Sequence, residues 1–404
     1  MHAAIEQLPG SLIREVADAA RGRPDVLAFW FGESDEPTPG FIRDAAVRSL
    51  DAGETFYAHN LGLAELREAI AGYTSSLHRP VGAERIAVTS SGVNALMLAM
   101  QALVGAGDEV AAVVPVWPNL TAQPAILGAS VVRISLDAVD GWRLDLDRLR
   151  RTVTTRTRAL VVNAPNNPTG WTLGRDEQRA ILEHCRATGT WILADEVYER
   201  LYFGRGEAGA DAGDGSAAGE GGRDEGAPLS APSFLDIAEP EDRLIVAHSF
   251  SKSFLMTGWR LGWLVAPAQL VPALGKLIEF NTSCAPVFVQ RAGLAALAEA
   301  DRFVPGLVEH LRRCRDTLLP RLAALPGISA ATPAGGMYAF FRIDGSDDSL
   351  ALAKRLVAEA RLGLAPGRAF GPEGEGWLRW CFASRDPQRL VDGVDRLAAF
   401  LQSR

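Results

Sequence analysis

The stretch LIVAHSFSKSFLMTGWRLGWLVA (244–266) decides the fold. Its two ends, LIVAH (244–248) and LGWLVA (261–266), are nearly unbroken apolar runs, the pattern of strands buried on both faces of a parallel sheet. The loop between them carries Ser249, Ser251, Lys252 and Arg260. Lys252 stands out because only three of the 41 basic residues, Lys252, Lys276 and Lys354, are lysines. Chemistry that needs an amine able to lose its proton cannot use guanidinium. A lysine directly after a buried strand is therefore a candidate nucleophile, its pKa lowered by burial and by cationic neighbours. Arg260, eight residues on, marks an anion site beside it.

Outward from this loop, ALVVN (159–163) and WILA (191–194) repeat the buried-strand pattern, with helical segments such as 175–187 between strands. GLAELREAIAGYTSSL (62–77) places Leu63, Leu66, Ile70, Tyr73 and Leu77 at three- and four-residue spacing, a helix stripe. FVPGLVEHLRRCRDTLLPRLAAL (303–325) reads as one long helix despite Pro305. This alternation predicts a layered α/β domain, and ligands bind at the carboxyl edge of such a sheet. Asp195 ends WILA and Tyr198 follows it, so both belong to that edge. VVNAPNNPTG (161–170) runs from a strand into turn-forming residues. AVTSSGVNALMLAMQAL (87–103) is strand, small-residue loop, helix, an arrangement that offers backbone N–H groups to a phosphate. Taken singly, these features also read as a capping Asp, a plain turn and an ordinary helix start.

Composition narrows the class. A chain of 404 residues, 48% hydrophobic and 22% charged, is expected to form two lobes sharing a core. A net charge of −8 without a basic arm or stripe argues against nucleic acid as a partner. No apolar run approaches the roughly 18 residues that cross a bilayer, and no signal-peptide core opens the chain, so no membrane partner and a cytoplasmic location are expected. Cys185, Cys284, Cys314 and Cys381 are far apart with no C-x-x-C, which predicts free thiols and no metal. Residues 204–232 hold nine glycines up to Gly226 and six acids against two arginines, and read as a disordered acidic surface insertion. The absence of G-x-G-x-x-G, G-x-x-x-x-G-K-[ST], H-E-x-x-H and G-x-S-x-G removes the usual dinucleotide, nucleotide, zinc-protease and serine-hydrolase signatures.

In chain order, S-S-G before a helix, Trp117 after a strand, P-N-N-P-T-G, D-x-x-Y, S-x-S-K and an arginine eight residues on resemble the fold-type I pyridoxal-phosphate enzymes. The nearest resemblance is to the class I/II aminotransferases, the group that includes bacterial aspartate aminotransferases. It extends from FGESDEPTP (31–39) and YAHNLGLAELREAIA (57–71) to PAGGMYAFF (333–341), PGRAFG (366–371) and WLRWCFA (377–383), leaving 204–232 outside. It implies pyridoxal 5'-phosphate as cofactor and ping-pong transfer of an amino group from an L-amino acid to a 2-oxo acid. It also implies a homodimer with shared sites. A large domain over 40–300 would hold a mostly parallel seven-stranded sheet, and 1–39 with 301–404 would form a smaller α+β domain that closes over substrate.

The same resemblance assigns roles. Lys252 would join the cofactor covalently and, once freed, shuttle the proton from the substrate Cα. Asp195 would keep the pyridine nitrogen protonated, Tyr198 and Asn167 would hydrogen-bond the phenolic oxygen, and Trp117 would stack on the ring. Ser91, Gly92, Val93, Ser249 and Arg260 would seat the phosphate, with Tyr57 reaching the phosphate of the neighbouring subunit. Arg379 would grip the substrate α-carboxylate beside Gly32 and Asn167. Trp30, Trp377 and Trp380 either line the pocket or fill the small domain, the core role being expected for at least two. His59 and His248 read as structural. The chain also departs from its relatives, with Val93-Asn94 where a lysine is frequent, Val116 where an aromatic often precedes the stacking Trp, and no basic residue in IEFNTSCAP (278–286), which in the family lies near the substrate side chain. These departures count against aspartate and glutamate as donors and point to an amino donor with a neutral or apolar side chain, the alternative being that loops of a partner subunit supply the missing charge. Lyases, cyclising synthases and decarboxylases share the motifs and remain alternatives. An inactive binding protein of the same fold is a further one, against which the full residue set argues.

Overall fold

Consecutive residues of the central strands face opposite sides, and helices cover both sides. In Leu244–Ser249, Leu244 and Val246 belong to one buried cluster while Ile245 and Ala247 belong to another. Leu160 and Val162 separate from Ala159 and Val161 in the same way. A strand covered on both faces must be apolar at every position, which is why these segments are unbroken hydrophobic runs. The computed structural model describes residues 3–6, 8–138, 141–204 and 229–403, so most of the stretch read as an acidic insertion lies outside the described residues.

After a short strand Leu27–Ala28 (β1), the main sheet is built from Ile86–Thr89 (β2), Glu109–Val114 (β3), Ser130–Ser135 (β4), Thr157–Asn163 (β5), Trp191–Asp195 (β6), Leu244–Ser249 (β7) and Gly262–Val265 (β8). Its order is β2-β8-β7-β6-β5-β3-β4. The five strands from β7 to β4 run parallel, whereas β8 is antiparallel to both β7 and β2. LGWLVA, expected as a parallel strand, is thus the exception. The link from β7 is a loop and not a helical crossover, so the chain returns alongside in the opposite direction.

The helices follow their sequence signals. Ala64–Leu77 and Arg175–Thr188 form where the apolar stripes predict. The second opens with Glu177 accepting from the Gly174 N–H at 2.6 Å and stops at Gly189, whose φ of 75° is left-handed. Ala300–Ala323 runs unbroken through Pro305 and Pro320. A second, antiparallel sheet has the order β12-β13-β10-β9, from Ile328–Ala330 (β9), Tyr338–Ile343 (β10), Ala365–Pro366 (β12) and Trp377–Cys381 (β13), while Leu362–Gly363 (β11) pairs with β1. The helix Leu12–Ala19 packs on β12, joining the N-terminal segment to this C-terminal unit. One buried cluster continues from Val88 and Trp263 of the main sheet to Tyr338, Phe340 and Leu378 of the second. Among the described residues no helix is long and apolar enough to cross a membrane.

Behind β6 lies a buried ionic knot. His78, at the end of Ala64–Leu77, sits 3.0 Å from Glu199 through Nε2 and 2.9 Å from Asp236 through Nδ1, with its own side chain fully enclosed. Only the imidazolium can donate from both nitrogens. Burial alone would lower its pKa, but the Asp236 and Glu199 acceptors outweigh that and raise it to about 10. The knot ties the end of one helix to the segment directly after Asp195 and to the Ser233–Asp236 turn. Removing one member of a buried ionic group costs about 3 kcal/mol or more, so His78→Ala is expected to lower the unfolding free energy by about that much at pH 6–7. Because the folded pKa is raised, the contribution is complete below the ordinary value of 6.5 and fades as pH rises towards about 10. Denaturant unfolding of both proteins across that window checks it; a difference that grows with pH would contradict it.

Candidate active site

The parallel strands deliver their functional residues to one edge. β3 ends before Trp117, β5 ends at Asn163 just ahead of Asn167, β6 ends at Asp195 and β7 ends at Ser249 ahead of Lys252. β2 ends at the same edge before Ser91, and antiparallel β8 starts there after Arg260, since Thr89 and Ser249 both pair with Gly262. The cavity at this edge brings together Gly32, Gly92, Val93, Trp117, Asn167, Asp195, Tyr198, Ser249, Lys252 and Arg260.

The amine and the carboxylate at its centre are both perturbed. Withdrawal from water lowers the Lys252 pKa to about 8, with Arg379 and Arg260 assisting and Cys381 and Glu33 opposing. Its Nζ donates to Gly32 O at 2.5 Å and lies 5.8 Å from the centre of the Tyr198 ring. Asp195 is buried, and that burial raises its pKa to about 7 against the smaller opposing pulls of the Val197 N–H at 3.5 Å and of Lys252. Burial also holds the Tyr198 phenol well above its usual pKa.

On the other side of the cavity, the helix Gly92–Leu103 points its N-terminus at the site. Ser91 Oγ caps it by accepting from Asn94 N at 3.0 Å, and the first-turn amides of Gly92 and Val93 have no helical acceptor. The loop lies so close to β8 that a Cβ at Gly262 would stand 2.6 Å from Gly92 N and 2.7 Å from the Ser91 carbonyl carbon, so only glycine fits there. Arg260 has a left-handed backbone, φ 57°, and binds Thr257 O at 2.6 Å. Among the described residues no carboxylate lies within 4.0 Å of it, leaving its charge available to an anion at the helix terminus.

Arg379 of β13 is completely buried, with neutral partners: Nη1 donates to Asn167 Oδ1 at 2.8 Å and Nη2 to Trp30 O at 2.5 Å. Among the described residues its Nε is buried with no acceptor and it forms no ion pair. A buried cation held by neutral oxygens is a site for an incoming carboxylate. Asn167 is itself fixed by Asn163, whose Oδ1 accepts from Asn167 N at 2.7 Å and whose Nδ2 donates to Asp195 O at 3.0 Å.

Tyr57 is not gathered into this cavity; it is 90% exposed, beside Phe56 at 84%. Trp30 and Trp380 are buried, and Trp377 stacks on Phe340 at 5.2 Å, so the core reading of these tryptophans holds. His248 is buried, stacked on Trp263 at 5.0 Å. Five cavity residues went unassigned from sequence: the apolar Leu96 and Val197, and the polar Asn163, Ser251 and Tyr338. Asn163 and Ser251 carried a signal, each lying within a quoted motif at a strand end. Tyr338 carried none beyond lying in PAGGMYAFF.

The description "Aminotransferase class I and II" fits residues 25–397. An aspartate aminotransferase of Pyrococcus horikoshii is 32% identical over 97% of this chain and 95% of its own length. An arginine–pyruvate transaminase of Pseudomonas aeruginosa is 33% identical over 91% of the chain and 87% of its own length. Among solved structures, Thermus thermophilus aspartate aminotransferase with maleate is similar with a TM-score of 0.86, 31% identity and 99% of both chains covered. With site geometry and whole-length similarity in agreement, the chain belongs to the class I and II aminotransferase family and is a pyridoxal-phosphate-dependent aminotransferase.

Proposed function

We propose that this aminotransferase takes its amino group from an L-amino acid with a neutral or apolar side chain and passes it to a 2-oxo acid by a ping-pong mechanism, working as a homodimer with shared sites. The observation that carries the reading is Arg379, a buried guanidinium with no acidic partner among the described residues, joined through Asn167 to the cavity that holds Lys252.

Pyridoxal phosphate fits the residues present. Asp195 is a buried carboxylate with no cation within 4.0 Å among the described residues, and a protonated pyridine nitrogen is the partner such a group lacks. Trp117 would stack on the ring, and Tyr198 and Asn167 would bond its phenolic oxygen. Ser91, the Gly92 and Val93 amides, Ser249 and Arg260 would hold the phosphate. When bound, the cofactor supplies an electron sink for the pair left at the substrate Cα.

The chain's own groups do the rest. Arg379 binds the α-carboxylate as a charge-assisted fork and, with Asn167, sets which Cα bond faces Lys252. Lys252 would hold the cofactor between turnovers and, once freed by the substrate amino group, would take the Cα proton on Nζ and hand it to the cofactor carbon it had occupied. A pKa of about 8 leaves it neutral near neutrality far more often than an ordinary lysine. Asp195, anionic opposite a cation, would keep the ring nitrogen charged.

Relatives named for aspartate and for arginine are about equally similar, so overall likeness does not choose the donor. Beside the site, and sharing only Arg260 with it among the described residues, lies an open cavity of about 800 Å³ lined by Ser90, Thr282, Cys284, Phe288 and Trp259, with Glu36 as its acid. Arg260 is allotted to the phosphate, so among the described residues this cavity offers a distal carboxylate no further cation, and in the dimer a partner loop would be the source of one. Two lobes, 40–300 and 1–39 with 301–404, closing over substrate would keep water from the site. The dimer is supported by Phe280, 91% exposed on the segment whose Asn281 and Thr282 bond Asn94 and Ser90, together with exposed Phe56 and Tyr57. Four free cysteines support a cytoplasmic setting.

Arg379→Lys keeps the charge but not the fork, and is expected to raise KM for the amino donor about 30-fold with cofactor retention unchanged. An unaltered KM in steady-state assays would remove Arg379 from the carboxylate site. Sedimentation should give twice the 43.2 kDa chain mass, and a monomer would remove the shared-site reading.

A further inference from the structure

We infer that Tyr338 is a positioning residue for the transfer reaction, donating its phenolic proton to Tyr198 so that Tyr198 must aim its own proton at the cofactor's phenolic oxygen. The inference rests on the cofactor reading above and adds a residue to it.

The two hydroxyl oxygens lie 2.7 Å apart, both side chains are buried, and the rings meet edge to face at 5.7 Å. Each hydroxyl has one proton, and one of the two protons lies between them. If Tyr198 spends its proton on Tyr338, it can offer the cofactor only lone pairs, which would repel an ionised phenolic oxygen. If Tyr338 is the donor, the Tyr198 proton is free to turn to that oxygen, and the chained bonds strengthen one another.

The surroundings favour the second order. Among the described residues Tyr338 Oη hydrogen-bonds Tyr198 alone, so the Tyr338 proton has no rival acceptor there. Burial holds the Tyr338 phenol above its usual pKa; the Arg379 guanidinium, 4.4 Å from the Tyr338 ring centre, pulls the other way, as it also does on Tyr198. The other titratable groups acting on the pair are Asp195, at the end of β6, and Cys381, opposite Tyr338 in β13; Lys252 stands over the Tyr198 ring. Gly32 fixes the hydroxyl from the remaining side. A Cβ there would come within 2.1 Å of Tyr338 Oη, so the missing side chain admits the phenol.

The bond also joins two parts of the fold. Tyr338 lies on β10 two residues from Phe340, which pairs with Arg379, while Tyr198 follows β6 of the main sheet. The residue that grips the substrate carboxylate and the phenol that tunes the cofactor are therefore linked through one side chain.

The test is a pH titration of the absorbance of the pyridoxal-phosphate-loaded protein without substrate. Tyr338→Phe removes the hydroxyl and keeps the ring beneath Arg379. It is expected to raise the spectral pKa of the bound cofactor by about 0.5 unit, because the ionised phenolic oxygen loses support. Tyr198→Phe should raise it further, and the double variant no further than Tyr198→Phe alone. Gly32→Ala, whose Cβ displaces the same hydroxyl, should reproduce the Tyr338→Phe shift. An unmoved pKa in Tyr338→Phe, or a double variant with fully additive shifts, overturns the inference while leaving the cofactor assignment standing. A loaded wild-type protein with no pH-dependent band would overturn the cofactor reading and this inference with it.

Discussion

A lysine amine can act as a base only while it is uncharged, and keeping Lys252 out of water is the constraint that the rest of this structure serves. Burial lowers its pKa to about 8, and Arg379 and Arg260 add to the effect. The same enclosure makes the neighbouring charges expensive unless each has a purpose. Asp195 is forced towards neutrality by burial, and Arg379 is held by neutral oxygens. In the proposed function, cofactor and substrate would supply the opposite sign to each.

Placing such groups precisely requires rigid supports, and the main sheet provides them. Its parallel strands end at one edge and its two faces are sealed by separate apolar clusters. Polar groups then buttress the edge from behind: Asn163 fixes Asn167, and the His78, Glu199 and Asp236 knot anchors the segment that carries Tyr198. Tyr338 reaches the cavity from the other sheet, and Arg379, on the neighbouring strand, joins it through Asn167, so closure of that part of the molecule would adjust both together.

Much of this was legible in the sequence, for identifiable reasons. Strands sealed on both faces must be apolar at every position, so LIVAH, ALVVN and WILA declared themselves, and residues directly after them fell at the binding edge. Lys252 was conspicuous because the chain otherwise uses arginine. What stayed hidden depends on contacts distant in sequence. The direction of β8 is set by its loop and not by its own composition. Tyr338 meets Tyr198 across 140 positions, and His78 meets Glu199 across 121, with no local pattern that would pair them. The second role of Gly32, leaving room for the Tyr338 hydroxyl, is likewise visible only in three dimensions.

The most direct measurement is the half-reaction. The purified protein is loaded with pyridoxal phosphate, mixed with single amino acids in the absence of any 2-oxo acid, and followed by absorbance and product analysis. The account predicts stoichiometric conversion to the aminated cofactor with release of one 2-oxo acid per site, most readily for neutral or apolar donors and not at all for Lys252→Ala. Failure of every amino acid to convert the cofactor, release of ammonia in place of amination, or unchanged conversion by Lys252→Ala would contradict it.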